Sequence, residues 1–174
     1  MRERNYFGTM LVETGQADAM ITGYSHAYPN AIRPVLEIIK KEEGVTRIAA
    51  ASIMLSKQGP IFLSDATINI DPSAADLANI ALLTAKAVKF FGLEPSVAML
   101  SYSNFGSATS ESTLKVREAV AYLHKHHPDL VVDGEIQADF ALNPDKIAKT
   151  YPFSKLNNGK GANALIFPNL EAAN

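Results

Sequence analysis

The chain has 174 residues, 47% of them apolar and 20% charged, enough for a core on the scale of one ordinary domain, or of one domain plus part of another. A formal charge of -2 and a pI near 6.1 leave no basic stripe for a nucleic-acid backbone and no cation cluster for an anionic membrane. No apolar run approaches the roughly 20 residues of a membrane helix. The opening Met1-Arg2-Glu3-Arg4-Asn5 lacks the plan of a signal peptide, and the absence of cysteine excludes disulfides, thiolate nucleophiles and Cys-ligated metals, so a soluble cytoplasmic protein is expected.

In chain order, Tyr6, Phe7, Met10 and Leu11 predict a helix over about Arg4 to Val12, stopped by Gly15 in a left-handed turn. Ala19 to Thr22 reads as a short strand, and Gly23 to Asn30 as a loop. A second helix is expected from Ala31, with Ile32, Val35, Leu36 and Ile39 at helical spacing, Pro34 in its first turn and Gly44 at its end. The apolar run Ile48 to Leu55 reads as a buried strand. Lys57-Gln58-Gly59-Pro60 turns it back into an antiparallel Ile61 to Leu63, and Thr67 to Ile70 reads as one more short strand.

Asp71, as a cap, and Pro72, at the first helical position, predict a helix whose apolar positions run Leu77, Ile80, Ala81, Thr84, Val88 and Phe91 and which ends at Gly92. Then follow a strand Val97 to Leu100, a Ser/Gly loop Ser101 to Ser110, a helix from about Ser112 to His127, and a strand Leu130 to Val132. A short helix Gln137 to Leu142, another opened by Asn143-Pro144-Asp145, and a strand Ala164 to Phe167 complete the order. Alternating helices and strands from Asp71 onward predict an α/β fold, a mixed but mostly parallel sheet flanked by helices, with the hairpin as its antiparallel edge.

Ligands of open α/β sheets bind beyond the carboxyl ends of the strands. That rule selects Ser25 with its neighbours, Ser101 to Ser107, Asp133-Gly134-Glu135, and Asn169. The Ser101 to Ser107 loop, with Gly106, either holds a phosphate-like oxygen at the following helix N-terminus, or Ser110 or Ser112 simply caps that helix. Asp133 and Glu135 serve either proton transfer and hydrogen bonding to a substrate, or a turn with a solvated Glu. Arg33 could grip a phosphate with both guanidinium edges, or lie idle on the surface. His124, His126 and His127 have no completing carboxylate and sit before Pro128, so an exposed, frayed helix end is expected there and not a metal site. No nucleophile elbow, P-loop or dinucleotide fingerprint is present.

Asn5 to Val12, Gly15 to Ala19, Ile32-Arg33-Pro34, Val97 to Ser107, Asp133 to Asp139 and Ala162 to Asn174 together form an ordered series that resembles the phosphate acetyl/butyryl transferase family. The resemblance implies a fold like that of isocitrate and isopropylmalate dehydrogenases, two α/β domains around a cleft, usually paired as a homodimer, so a homo-oligomer, dimer or higher, is expected. Residues 1-45 would then close the first domain, and residues 46-174 would form an incomplete second one. It further implies transfer of an acetyl group between phosphate and coenzyme A, with a CoA ester or acyl phosphate as the partner molecule. By this likeness Arg33 is the anion-binding arginine and the loop carrying Ser101, Ser103, Asn104, Gly106 and Ser107 lies at the cleft, while Ser25, Asp133, Glu135 and Asn169 are binding candidates from their places after strands.

Two departures bear on function. Ser103-Asn104-Phe105-Gly106-Ser107 stands where stand-alone transacetylases usually read Ser-Thr-Lys-Gly-Ser, and Asn169 stands where they usually have Asp. In both respects the chain looks like the C-terminal domain of hybrid NADP-dependent malic enzymes. The family's catalytic Ser-Arg pair and Asp are expected beyond Asn174, so no complete catalytic site is expected here. The reading favoured by these residues is an acetyl-CoA-sensing and oligomerisation domain, with NADP and a divalent metal held by a malic-enzyme half outside the chain. The alternative is a working phosphate acetyltransferase.

Overall fold

The structure, a computed structural model, describes every residue except Met1, Arg2, Ser25, His26, Glu42, Gly44, Thr46 and Asn174. It divides into two compact units, Met1–Thr46 and Arg47–Asn174. The first unit is a pair of helices, α1 (Arg4–Glu13) and α2 (Tyr28–Ile38). They are tied by the Tyr6 hydroxyl, which donates to Glu37, and by Asn5, whose amide donates to the Asn30 carbonyl at 3.2 Å. Gly15, at φ 69, closes α1 as expected.

Three expectations for this unit do not hold. Ala19 to Thr22 forms no strand: the segment is irregular and Ile21 lies fully exposed, because no neighbouring backbone of this unit offers a ladder. The second helix starts at Tyr28 and ends at Ile38, since Pro29 fixes a helical φ in the first turn and draws the start back. Pro34 and Arg33 therefore sit in mid-helix, not in the first turn, and Gly44 lies outside the described residues.

The second unit is a five-stranded sheet in the order β1-β2-β5-β3-β4. Its strands are β1 (Ala51–Ser56), β2 (Gly59–Ser64), β3 (Ser96–Leu100), β4 (Val131–Ile136) and β5 (Ala164–Ile166). β2, β5, β3 and β4 run parallel, and β1 is the antiparallel edge, joined to β2 by the expected turn with Ser56 opposite Gly59. Alternation along β3 supplies both faces. Val97 and Met99 join the core under α3 (Ala74–Phe90) and α4 (Glu111–His126). Ala98 and Leu100 join a second core with Ala141 of α5 (Ala138–Ala141) and Ile147 of α6 (Pro144–Thr150). A last short helix, α7 (Leu170–Ala173), follows β5.

Within this unit, β1 is not the buried strand its composition suggests: Ile53, Met54 and Leu55 are exposed, because edge position, not hydropathy, decides cover. Thr67 to Ile70 is no strand either. The Asp65 carboxylate collects the amides of Thr67 (3.0 Å), Ile68 (3.2 Å) and Asn69 (2.9 Å) into a turn. Nor does Asp71 cap α3. Ser73 does, in a capping box with Asp76, while Asp71 pairs with Lys115 at 2.6 Å. Phe91, expected among the helix's apolar positions, lies just past its end and is exposed.

Candidate functional site

β3 and β4 are parallel neighbours, so the segments leaving Leu100 and Ile136 emerge side by side at the carboxyl edge of the sheet. Two main-chain bonds stitch them together: Ser101 donates its N–H to the Ile136 carbonyl at 3.0 Å, and Phe105 to that of Glu135 at 2.8 Å. Phe105 (φ 43) and Gly106 (φ 95) form the tight tip of the loop. The Phe105 ring packs on Tyr151 and Phe153, with centroids 4.9 and 5.1 Å away.

Asp133-Gly134-Glu135 lies within β4, not after it as expected. Two carboxylates broke the apolar pattern by which a strand is recognised, yet both are buried, because each meets its own set of donors. Gly134 is required where the strands close on one another: at φ 147, an added Cβ would come within 2.4 Å of the Met99 carbonyl oxygen.

Glu135 organises the loop. Its Oε1 accepts from the Ser103 hydroxyl (2.8 Å), the Gly106 N–H (2.8 Å) and Arg117 Nη2 (2.9 Å), and its Oε2 accepts from Arg117 Nε (2.8 Å). Burial alone would raise the carboxyl's pKa, but the bonds from Arg117, Gly106 and Ser103 outweigh it and hold the group below its ordinary value. Arg117 Nη2 also donates to the Ala108 carbonyl, and the carboxylate beside it raises the guanidinium pKa.

Several other polar groups of the loop bond within it. Ser103 Oγ accepts from Ala108 N (3.0 Å), Ser107 Oγ from Asn104 N (3.0 Å), and Ser101 Oγ from Ser103 N (3.3 Å). Asn104 and Gln137 exchange two bonds, of 2.9 and 2.8 Å. Ser110 caps α4 through a reciprocal pair with Thr113. The outward rim of the loop carries Tyr102, Ser107 and Thr109, all exposed.

Asp133 belongs to a separate network, in which its carboxylate takes the Ser154 hydroxyl and the Lys155 N–H, each at 2.8 Å. His124 lies 3.8 Å from it and 2.8 Å from the Val132 carbonyl, so this histidine docks on β4 and is not part of a frayed helix end. Asn169 sits just beyond β5, where its Oδ1 accepts the Ala172 N–H at 2.8 Å. Arg33 belongs to α2 of the first unit and is exposed, and Ser25 lies outside the described residues. Among the described residues there is no cluster of three or more His, Asp or Glu that could hold a metal, and no helix long and apolar enough to cross a membrane.

Sequence reasoning selected Ser103 and Glu135 but missed Arg117. The available signal was the acid inside a strand, because a carboxylate buried in a sheet must be met by donors, and an arginine on the helix packed against it is one source of them.

A five-stranded, mostly parallel sheet covered on both faces, with a hydroxyl-rich loop pinned at its carboxyl edge, defines an α/β domain of the phosphotransacetylase type. The TM-score is 0.82 against the EutD phosphotransacetylase from Staphylococcus aureus, 39% identical, with 98% of this chain and 52% of that one covered. The family model described as phosphate acetyl/butaryl transferase matches residues 1–174, and the chain belongs to this family. It is 43% identical over 172 residues to the phosphate acetyltransferase of Bacillus subtilis (strain 168), covering 99% of this chain and 53% of that protein. It is also 40% identical over 167 residues to the NAD-dependent malic enzyme of Rhizobium meliloti (strain 1021), covering 96% of this chain but 21% of that protein. The chain thus spans about half the length of the phosphate acetyltransferases it matches.

Proposed function

We propose that this chain forms part of the site of a phosphate acyltransferase that moves an acetyl group between coenzyme A and phosphate. The observation that carries this reading is the 43% identity to a phosphate acetyltransferase along 99% of the chain. In the reaction the thiolate of CoA adds to the carbonyl carbon of acetyl phosphate, the carbon–oxygen bond to phosphate breaks, and inorganic phosphate leaves. The reverse reaction forms acetyl phosphate from acetyl-CoA.

Within this scheme Arg33 supplies a planar, permanently charged fork for the phosphate. The rim Ser101 to Ser107 bounds the CoA ester, with Asn104 and Gly106 shaping its tip, and Asn169 follows the neighbouring strand β5. Asp133 and Glu135 hold the two ends of this edge rigid. No residue described above is assigned to activation of the thiol. Acetyl-phosphate formation by the full-length protein tests the reading: Arg33→Ala is expected to lower kcat/KM for phosphate at least tenfold. Full activity without Arg33 would overturn its role, and no acetyl transfer by the unaltered protein would overturn the reading.

A second reading is favoured by the malic-enzyme match together with Asn104-Phe105 and Asn169. Here the domain senses acetyl-CoA and supports a homo-oligomer of a malate-decarboxylating enzyme, whose nicotinamide cofactor and divalent metal are held elsewhere. Malate decarboxylation by the full-length protein that responds to acetyl-CoA, and loses that response on deletion of this domain, would select it over the first.

A further inference from the structure

Arg117 has no part in either reading above, yet it is the cation on which the loop's geometry converges. The Glu135 side chain is 1% exposed, and it receives four donors from three places: the Arg117 fork from α4, the Ser103 hydroxyl, and the Gly106 N–H at the loop tip. A carboxylate so buried and so engaged is out of a ligand's reach, so it acts from behind the rim. Arg117 also holds the Ala108 carbonyl, so one guanidinium fixes both the buried anion and the descending arm of the loop.

We propose that Arg117 is a positioning residue that acts through Glu135 to set the shape of Ser103 to Ala108, the rim a CoA ester or acyl phosphate meets. The functional half of this inference rests on the acyl-transfer reading, and the structural half does not. Without the guanidinium, Glu135 would be an unpaired buried charge, which must either protonate or draw in water. A protonated Glu135 accepts less strongly from Ser103 and Gly106. The Gly106 N–H would then lose its partner, and Ser103 would no longer be oriented to accept from Ala108.

Charge alone does not suffice for this role. The Arg117 fork bonds both carboxylate oxygens and a carbonyl at once, which an ammonium on a flexible stem cannot reproduce. Of the other titratable groups near the pair, Tyr102 on the loop acts electrostatically on Arg117, Asp133 on β4 is engaged by Ser154 and Lys155, and Lys115 on α4 is engaged by Asp71.

The experiment compares the full-length protein with Arg117→Gln and Arg117→Lys in two measurements. In amide hydrogen exchange, both variants are expected to exchange at least tenfold faster over Ser103 to Ala108, with Val97 to Leu100 unchanged. In steady-state acetyl transfer, KM for acetyl-CoA is expected to rise about tenfold with kcat within about twofold, and the acid limb of kcat/KM to move to higher pH in Arg117→Gln. Should Arg117→Gln not fold, Arg117→Lys and Glu135→Gln carry the same comparison. Unchanged exchange over the loop overturns the proposal whatever the activity. So does faster exchange with KM, kcat and pH profile all unaltered in an active enzyme. If the unaltered protein transfers no acetyl group, the acyl-transfer reading fails, and the exchange result alone decides whether Arg117 pins the loop.

Discussion

Asp133 shows how a buried charge is tolerated in this sheet. Its carboxylate is 10% exposed and is met by the Ser154 hydroxyl, the Lys155 N–H and, at 3.0 Å, the Gly134 N–H. Hydrogen bonds to a charged acceptor are worth more than neutral ones, and the segment that supplies them, Ser154 and Lys155, has no strand or long helix of its own to hold it. Asp133→Ala should therefore destabilise the protein by about 1–3 kcal/mol, through donors left without an acceptor. A urea midpoint that does not move would refute this account.

At the scale of elements, the entry to α3 moves the cap from Asp71, where the local sequence puts it, to Ser73. Asp71-Pro72 has the composition of a helix start, but the capping geometry belongs to Ser73, whose Oγ accepts the Asp76 N–H at 3.2 Å while Asp76 accepts the Ser73 N–H at 3.0 Å. Arg47 braces the same carboxylate at 2.6 Å. Ser73→Ala is expected to cost about 1 kcal/mol and to lower Tm by a few degrees. Asp71→Ala, which loses an ion pair to an acid that is largely in water, should stay within about 0.5 kcal/mol. Calorimetry giving the opposite order would return the cap to Asp71.

For the molecule as a whole, the pH dependence of stability follows from carboxyls whose pKa is lowered by folding. Glu135 is the most buried of these, and Asp76 and Asp139 shift in the same direction, the latter chiefly through its bond to Lys146. A group with a depressed folded pKa stabilises the fold fully above its unfolded value, about 4.3 for glutamate, and that stabilisation is lost as the pH falls through the lower folded value. Glu135→Gln should accordingly be less stable than the parent at neutral pH and show a shallower loss of stability below about pH 4.3. Parallel curves of urea midpoint against pH for the two proteins would show that Glu135 contributes nothing to the acid limb.

The sequence by itself determined the α/β class, the hairpin at Gly59, the order of helices and strands from α3 to β5, and the serine-rich loop at the end of β3. These features depend on local periodicity, turn residues and chain order, which act over a few residues. Only the tertiary structure decided that β1 is an exposed edge, that Ala19 to Thr22 has no strand to pair with, and that Asp133 and Glu135 lie inside β4 and face different partners. It also decided that Arg117, 18 residues before Glu135, is the group that holds the loop. Cover, pairing and charge compensation come from residues distant along the chain, and no local pattern encodes which of them arrive.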